Sequence, residues 1–423
     1  RLQHRVGSRD FQSRYEPFKL SSCQMKVKFM REVDICLGGF LNQFLNLFAG
    51  ILSRTSSYTP TNENVKNILV IKFFGMGSII LMTPMFRSLR SMYPNARISL
   101  LTFPENLGIC EQIDTIDKVL TIDPYSMATF LRDNFKCLIA IWKNRPEITV
   151  DVEFFSNFTS LFALLTCASS RVGFHLRQVA RGGHLTHKVS LNTHHHATYV
   201  FYHLVAALGA RFEDENLNEL TLKLPPQSEL NSAYKKLGID ESHSVIVINP
   251  NTSHLSFLRR WPANYFVTLV TQLAERHPDY VYVFVGVEKE NQYVQNIVDK
   301  VVCEFPTKAI NAAGLLSINE FWGLLKEAKL LITNDSLPVH LASVFKTNIV
   351  SFFGPESPRF YGTLSENSLC FFENIPCSPC LIVFDNKAEI DCKDNICLKQ
   401  ILPDRVLSEI EEKFFNNESA LIR

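Results

Sequence analysis

The 423-residue sequence is missing the features that mark several common classes of protein. Its formal net charge is only +1, so there is no general excess of basic residues, and no nucleic acid is expected as a partner. No apolar run approaches the ~20 residues that a membrane-spanning helix needs. No signal peptide is recognisable at the start, so the sequence predicts a reducing, cytoplasmic environment for its 11 cysteines.

The turn after the first buried strand has two glycines but lacks the third that a dinucleotide-binding fingerprint requires. Residues 67–72 (NILVIK) predict the strand, GMGS follows at 75–78, and the third glycine position is Ile80. The pattern predicts a strand–turn–helix corner with Ser78 capping the helix. An NAD(P)-dependent oxidoreductase of Rossmann type stays an alternative function, with Glu105 as the acid that would bind the ribose.

Predicted strands and amphipathic helices alternate along most of the chain, which favours an α/β protein with parallel sheets. The first series occupies residues 66–215 and the second residues 216–402, with a lapse in the pattern around a Pro-Pro pair between them. Two doubly wound domains are therefore expected, each binding ligands at the carboxyl ends of its strands. A C-terminal helix is predicted within residues 403–423.

The N-terminal region, residues 1–65, is predicted to contain a polar leader and one amphipathic helix. Apolar residues recur at helical spacing over 37–52, and basic residues flank them. This pattern is typical of a helix that lies in the plane of an anionic membrane surface. The alternative is a helix that packs on the protein's own core.

A polar cluster at the end of a strand in the second half is the strongest functional signal. Asn334, Asp335 and Ser336 follow the strand LLIT, and a helix begins directly after them. The amides at a helix N-terminus suit a diphosphate, and an acid with a hydroxyl beside it suits sugar hydroxyls. His340 lies in the first turn of the helix, close enough to reach the same ligand.

Further ligand-binding groups follow other strands of the second half. Thr252 and Ser253 supply hydroxyl groups at the end of the strand SVIVIN. Arg259 or Arg260 supplies the cation that a pyrophosphate needs. Glu288, at the end of another strand, is placed to accept hydrogen bonds from ribose hydroxyls.

Taken together, these segments resemble glycosyltransferase family 9, the bacterial ADP-heptose:lipopolysaccharide heptosyltransferases. The resemblance covers roughly residues 67–402 and depends on NILVIKFFGMGSIILMTPMFRSLRSMYP, RRWP and TNDSLPVHLASVFKTNIVSFFGP. It implies a GT-B fold, in which two Rossmann-like domains face each other across a cleft. It also implies inverting, metal-independent transfer of a sugar, with heptose the first candidate, from an ADP-linked donor to a lipopolysaccharide-type, lipid-linked or polysaccharide acceptor.

The resemblance also implies a role for individual residues and a location for the protein. The second domain would bind the nucleotide sugar, and the first would bind the acceptor. Such acceptors lie at the inner face of the cytoplasmic membrane, so a peripheral position on that surface is expected. The residues that match donor-binding positions are Thr252 and Ser253 as a hydroxyl pair, Arg259 at the phosphates, Glu288 at the ribose or adenine, and Asp335, Ser336 and His340 at the sugar–diphosphate corner.

The chain departs from the family pattern where the general base is expected. Family members have an aspartate directly after the second glycine of the first turn, and this chain has Ser78. A serine hydroxyl does not deprotonate an acceptor by itself at neutral pH. Asp151 and Glu153, at the end of a neighbouring strand, and Glu105 are the candidate replacements. The other alternative is a GT-B protein that binds nucleotide sugars without catalysis.

Four cysteines near the C-terminus leave a metal site open, although no metal is expected for catalysis. Cys377 and Cys380 form a C-x2-C pair, and Cys392 and Cys397 form a looser pair. Such a set is one route to a zinc site. The alternative is a redox-sensitive or loop-packing cluster. The run of histidines at 194–196 is interpreted as surface or acceptor-side polarity.

Overall fold

The computed structural model describes residues 32–48, 65–176, 181–240, 242–252, 257–381 and 392–416. It contains two six-stranded sheets in which every strand pair is parallel. The predicted α/β class with two doubly wound sheets is therefore confirmed. The polar leader, the linker before residue 65, Ser253 and the last seven residues of the C-terminal segment lie outside the described residues.

The first sheet has the strand order β3-β2-β1-β4-β5-β6. Its strands are β1 Asn67–Ile71, β2 Arg97–Thr102, β3 Lys118–Thr121, β4 Ile148–Asp151, β5 Ser170–Phe174 and β6 His187–Val189. The helices in this part of the chain are α1 Gly39–Leu47, α2 Met76–Leu81, α3 Thr83–Met92, α4 Leu107–Cys110, α5 Met127–Lys143, α6 Asn157–Leu165 and α7 Ala197–Ala206.

The second sheet has the order β12-β11-β10-β7-β8-β9, which is the same winding scheme. Its strands are β7 Val245–Asn249, β8 Val281–Phe284, β9 Ala309–Asn311, β10 Leu330–Asn334, β11 Ile349–Phe353 and β12 Ser368–Phe372. The helices around it are α8 Gln227–Leu237, α9 Ala263–Arg276, α10 Asn291–Glu304, α11 Ile318–Glu327, α12 Leu337–Phe345, α13 Pro358–Tyr361, α14 Ile396–Lys399 and α15 Pro403–Ile410.

The central strands of both sheets are buried on both faces, because helices cover each side. This explains why β1, β4, β7 and β10 read as nearly continuous apolar runs instead of alternating ones. In each sheet the winding direction changes between the first and fourth strands, where Ile71 pairs with Asp151 and Asn249 pairs with Thr333. Ligands of doubly wound sheets bind at the carboxyl ends of strands at this switch point.

The helix predicted after the glycine turn is divided in two. α2 ends at Leu81 and α3 begins at Thr83, with Pro84 in the first turn of α3. Proline has no N–H group to continue a helical ladder, so the break falls where the ring enters the chain. The Thr83 hydroxyl donates to the carbonyl of Ile80 (2.8 Å) across this junction.

The two domains meet along a continuous apolar interface. Phe154 of the first domain packs edge-to-face on Phe360 of the second, with ring centroids 6.1 Å apart. Nε2 of His196 lies 2.9 Å from the carbonyl oxygen of Gly362, which joins the first domain to the second. The exact domain boundaries stay a prediction, although α15 packs on α9 of the second domain through Val406 and neighbouring residues.

Within the described part of the chain, no helix is long and apolar enough to cross a membrane. α1, the first α-helix of those named above for the described residues, lies against α6 of the first domain. A π-helical turn, Asp34–Gly38, precedes it.

Candidate active site between the two domains

The switch points of the two sheets face each other across the domain boundary. The glycine turn after β1 belongs to the first domain, and α12 belongs to the second. A Cβ atom at Gly77 would lie 2.6 Å from Cδ2 of His340, so the turn touches the first turn of α12. A side chain at this position would require the His340 ring or the turn to shift, so glycine permits the close approach.

The glycine turn itself depends on an unusual backbone conformation. Gly75 directly precedes α2 and has a φ of +87°. Positive φ values of this size favour glycine, which has no Cβ atom. Ser78 lies in the first turn of α2, half-buried, with its hydroxyl directed towards Gly75. The prediction that Ser78 caps the helix is wrong, because Gly75 occupies the N-cap and the helix begins two residues before the serine.

A buried carboxylate fixes the backbone of this turn. One oxygen of Glu153 accepts the N–H groups of Phe73 (2.7 Å) and Phe74 (2.8 Å), and the other lies 3.0 Å from Nζ of Lys72. Lys72 and Glu153 are both almost fully buried. Asn106 donates to the carbonyl of Phe73 (2.8 Å) from the other side. These contacts give Glu153 a structural use, and its role as a base stays a prediction.

Asp151 is likewise engaged below the surface. Its carboxylate forms an ion pair with Arg181, and both side chains are fully buried. Arg181 also donates to the carbonyl oxygens of Phe174 (2.6 Å) and Ser156 (2.9 Å). Burial raises the pKa of Asp151 to about 6, against the opposing influence of Arg181. A base must reach the acceptor's proton, and nothing in this position brings Asp151 to the cleft surface.

The corner of the second domain is held by an amide network. Asn334 accepts the N–H of Trp261 (2.8 Å) and donates to the carbonyl of Pro250 (2.8 Å). Asn249 donates to the hydroxyl of Ser336 (2.8 Å), which is the N-cap residue of α12. Asn334 therefore shapes the corner from within, while Ser336 lies at its surface.

The cation and the acid predicted to bind the donor are in direct contact. Nη1 of Arg259 lies 2.9 Å from Oδ2 of Asp335, and the same nitrogen donates to the main-chain carbonyl of Asp335 (3.3 Å). Both side chains retain slight exposure, 11% and 7%, at the N-terminus of α12. Thr252 is buried and lies three residues after the end of β7. The structure thus brings together three predicted features: a guanidinium, a carboxylate and a helix N-terminus.

The second arginine of the pair has different surroundings. The guanidinium of Arg260 lies over the rings of Phe257 (4.6 Å) and Tyr293 (4.3 Å) and 3.8 Å from Oε1 of Glu290. Cation–π contacts on two sides position Arg260 through packing as well as charge. Glu288 is exposed in the turn after β8, while Glu290 is largely buried beside it.

His340 is a buried side chain at the contact between the two domains. Desolvation lowers the pKa of His340 to about 4, although the nearby Asp335 opposes this shift. Its Nδ1 atom has no hydrogen-bond partner among the described residues. The ring is therefore neutral at pH 7, and its Cδ2–Nε2 edge is the one that faces Gly77.

The stability of the protein is expected to depend on pH through His340. An unfolded histidine has a pKa of about 6.5, so below that pH the unfolded state binds a proton that the folded state does not. Folding is therefore penalised as pH falls from 7 to 5, by up to about 2 kcal/mol from this residue. We expect His340→Gln to reduce the fall in melting temperature over this range. The exposed His194, replaced by glutamine, is the control, and equal slopes for both variants would contradict the assignment.

The cysteines near the C-terminus do not form a metal centre in the described part of the chain. No group of three or more histidine, cysteine, aspartate or glutamate side chains there has a geometry that would hold a metal ion. Zinc therefore has no support from the geometry. The four side chains range from exposed to buried and have free thiols: Cys377, Cys380, Cys392 and Cys397.

Several residues that shape the site were not selected from the sequence. Arg181 lies in the loop after β5, and nothing in the surrounding sequence indicates that it pairs with Asp151. Asn249 ends β7, three residues before Thr252, and its place at a strand end is the sequence signal that could have identified it. Glu290 was not selected because two residues earlier Glu288 occupies the strand end. His196 belongs to the histidine run, and it caps α7 and bonds to the second domain instead of lying free on the surface.

Two facing α/β domains with a cation, an acid and a helix N-terminus at one switch point fit the class of GT-B glycosyltransferases. A model of glycosyltransferase family 9 (heptosyltransferase) matches residues 159–388, more than half of the chain. The chain therefore belongs to glycosyltransferase family 9. This membership favours a transferase over the oxidoreductase alternative.

Individual relatives agree with this assignment. The lipopolysaccharide heptosyltransferase 3 of Escherichia coli is 24% identical over 314 residues, which span 70% of this chain and 86% of that protein. Two solved structures have the same fold: ADP-heptose lipopolysaccharide heptosyltransferase II of E. coli (TM-score 0.66, 19% identity, 83% of this chain and 99% of that one) and a family 9 glycosyltransferase of Veillonella parvula (TM-score 0.69, 21% identity, 84% and 99%).

Proposed function

We propose that this protein transfers a heptose from ADP-heptose to a lipopolysaccharide-type acceptor, without a metal ion and with inversion at the transferred carbon. The observation that carries the proposal is the contact between Arg259 and Asp335 at the N-terminus of α12, opposite the glycine turn of the first domain. The names of the relatives support ADP-heptose as the donor and a lipopolysaccharide as the acceptor.

In this proposal the second domain binds the donor. Arg259 exchanges part of its contact with Asp335 for the diphosphate, to which a guanidinium binds with two parallel hydrogen bonds. The positive end of α12 lies at the same point and stabilises the charge that develops on the leaving group. Ser336 and Asp335 then face the sugar, and Glu288 is exposed where the ribose would lie. Thr252, Ser253, Arg260 and Asn334 complete the predicted donor-binding set.

His340 acts in this proposal as a neutral hydrogen-bonding group at the sugar–diphosphate corner. Because its pKa is lowered to about 4, it stays uncharged at neutral pH. It therefore contributes orientation and a hydrogen bond, and the positive charge comes from Arg259 and from the helix.

The first domain supplies the acceptor side through the glycine turn. Ser78 occupies the position of the family's aspartate, and we propose that its hydroxyl orients the acceptor by a hydrogen bond instead of removing the proton. Asp151 and Glu153 remain the predicted alternative bases, although their ion pairs with Arg181 and Lys72 weigh against a direct role.

Restoring a carboxylate at position 78 tests this assignment. We expect Ser78→Asp to raise kcat at neutral pH, because a positioned general base contributes about 10²–10⁴-fold in enzymes that use one. Ser78→Ala is expected to lower kcat without weakening ADP binding. Initial rates of ADP release at saturating donor measure both effects. A fall in activity for the aspartate variant, with unchanged donor binding, would contradict the expectation that a carboxylate at position 78 serves as a general base in this cleft.

A second candidate function is binding of the nucleotide sugar without transfer. The replacement of the family's aspartate by Ser78 is the observation that favours it. The two proposals differ in one outcome, because a binding protein saturates with ADP-heptose but releases no ADP in the presence of acceptor.

The proposed acceptor is embedded in a membrane, so we propose that the protein works as a peripheral protein at the inner face of the cytoplasmic membrane. The donor is water-soluble and the acceptor's sugars project from the bilayer. An enzyme that joins them needs an open face towards the lipid and a closed cleft for the donor.

A thermal-shift comparison of nucleotide sugars tests the donor. A ligand that binds only the folded state raises the melting temperature, and 100-fold excess over Kd adds about 2.7 kcal/mol to the unfolding free energy. We expect ADP-heptose and ADP to raise the melting temperature, and UDP- and GDP-sugars to raise it less. A larger shift with UDP- or GDP-sugars would contradict the proposed donor.

A further inference from the structure

The N-terminal helix contacts the protein through its polar side. Oδ1 of Asp34 accepts the N–H of Phe158 (2.6 Å), and its other oxygen accepts the N–H of Asn157 (3.0 Å). Asn42 is fully buried and donates to Oδ1 of Asn157 (3.1 Å). A Cβ atom at Gly38 would lie 2.8 Å from Cβ of Asn157, so the helix lies very close to α6. Asp34, Gly38 and Asn42 are spaced four residues apart, so they lie on one face of the helix.

The contact continues towards the end of the same face. Asn46 lies so close to Gly183 that a Cβ atom on this glycine would be 1.8 Å from Oδ1 of the asparagine. Gly183 follows β5 and Asn157 follows β4, both beyond the carboxyl ends of their strands. The helix therefore lies along the edge of the first domain that also carries the glycine turn.

The opposite side of the helix is apolar and exposed. An amphipathic helix that packs on its own protein normally buries this side, and here the arrangement is reversed. The helix does pack on the protein itself, as one of the two interpretations from the sequence has it, but it does so through its polar side chains. The exposed apolar side chains are Ile35, Leu37, Phe40, Leu41, Phe44, Leu47 and Phe48.

A second stripe of exposed apolar side chains lies on α5. Met127, Leu131, Phe135 and Trp142 recur at helical spacing, and Leu131 and Phe135 are 60% and 64% exposed. The indole N–H of Trp142 donates to the carbonyl of Leu165 at the end of α6 (2.8 Å), so the ring is fixed in its exposed position.

Both stripes belong to one side of the first domain, because α6 lies between them. α1 contacts α6 through Asn42 and Asn157, and α5 contacts α6 through the rings of Phe130 and Phe158, whose centroids are 5.3 Å apart. We call the exposed apolar residues of α1, of the turn before it and of α5 the outer apolar face. Soluble monomers rarely expose so many large apolar residues on one side, and such patches mark interaction sites.

The charges around this face are mostly positive. Lys136, Lys143 and Arg145 are exposed on α5 or directly after it, and Arg132 is balanced by Asp133. Glu32 is the exposed acid at the start of the N-terminal helix. In the sequence, three more basic residues precede this helix within seven positions: Lys26, Lys28 and Arg31.

We propose that the outer apolar face docks on a lipid bilayer that contains anionic phospholipid, with α1 and α5 lying in the plane of the interface. Phenylalanine and leucine side chains enter the acyl boundary, Trp142 lies at headgroup depth, and the lysines contact lipid phosphates. The choice of a bilayer as the occupant depends in part on the proposed lipid-type acceptor. It also depends on the positive rim, because a second copy of this face would bring like charges together.

Tryptophan fluorescence gives a direct test on the unmodified protein. The chain has three tryptophans, of which Trp142 is 45% exposed, while Trp261 and Trp322 are 0% and 1% exposed. We expect vesicles of phosphatidylcholine with 30% phosphatidylglycerol, carrying brominated acyl chains, to quench one component of the emission and to shift it to shorter wavelength. Vesicles of phosphatidylcholine alone should bind more weakly because they lack the anionic charge.

Variants separate this face from general hydrophobic adhesion. Two double variants should each weaken vesicle binding, measured by flotation, by at least about tenfold. The first is Phe40→Asp with Phe44→Asp, and the second is Leu131→Asp with Phe135→Asp. Val302→Asp with Leu402→Asp alters two exposed apolar residues of the second domain and serves as the matched control. All the altered side chains are exposed, so melting temperatures should change little, and Phe44→Ser alone provides a milder variant.

The outcomes distinguish this proposal from the proposed function. Vesicle binding that the first two variants reduce supports the docking face, whether or not heptose is transferred. Turnover of ADP-heptose with a detergent-dispersed acceptor should be unchanged in these variants, and its absence in all proteins would contradict only the proposed function. Equal vesicle binding by every variant, or a lipid-independent dimer that the same variants dissociate, would overturn the docking proposal.

Discussion

Replacing Arg259 with alanine is expected to lower kcat/KM for ADP-heptose by about 10²–10³-fold, the range seen when one preorganised donor to a developing negative charge is removed. Nη1 of Arg259 contacts Asp335 at the N-terminus of α12, where the diphosphate is proposed to bind. Without the guanidinium, the leaving group keeps the helix amides but loses its cation. Initial rates of ADP release against donor concentration give kcat and KM separately.

Two further variants show whether the geometry of the cation matters. Arg259→Lys keeps the charge but loses the two parallel hydrogen bonds, so an intermediate loss of about tenfold is expected. Arg276→Ala removes an exposed arginine of the same domain and should leave the kinetics unchanged. A value of kcat/KM within threefold of the parent for Arg259→Ala would remove this residue from the donor site.

Glu153→Gln is expected to destabilise the first domain by about 3–5 kcal/mol, because it leaves the buried ammonium of Lys72 without its counter-charge. The same carboxylate accepts the N–H groups of Phe73 and Phe74, so the backbone that leads into the glycine turn should loosen as well. Differential scanning calorimetry measures the loss. Glu111→Gln, at an exposed position of the same domain, should cost less than about 0.5 kcal/mol.

A double variant decides whether Glu153 is structural or catalytic. Lys72→Met combined with Glu153→Gln removes both charges, so much of the lost stability should return, since replacing a buried pair by uncharged groups is often close to neutral. A structural role predicts that activity recovers with stability. If Glu153→Gln keeps its stability but loses turnover, the carboxylate is the base that the sequence suggested.

The sequence was sufficient to predict the architecture because buried parallel strands and helices leave strong periodic patterns. Two doubly wound domains, the strand ends that carry the site, and the corner of Asp335, Ser336 and His340 were all expected from residue types and their order. The sequence predicts that Arg259 and Asp335 bind the same ligand, but it does not predict a contact between them. The structure shows that the two side chains are hydrogen-bonded to each other. Local motifs predict such corners because all their residues belong to one strand–turn–helix unit.

Long-range pairing was not predictable from the same patterns. The partners of Asp151 and Glu153 are Arg181 and Lys72, 30 and 81 positions away, and no local signal identifies them. Both carboxylates looked available for catalysis because the sequence shows where they lie on a strand but not what faces them. The sequence does not show which side of α1 contacts the first domain, for a similar reason. Its amphipathic pattern was clear, but Asn157 and Gly183 decide which side faces the protein.

Transfer of heptose itself is the most direct test of the account. Purified protein, ADP-heptose and lipopolysaccharide that lacks its outermost heptose would be incubated without divalent metal and with a chelator, and the acceptor would be analysed by mass spectrometry. We predict that the acceptor gains the mass of one heptose, that one ADP is released for each transfer, and that Arg259→Ala abolishes most of the product. Saturable binding of ADP-heptose with no transfer to any lipopolysaccharide acceptor would contradict it.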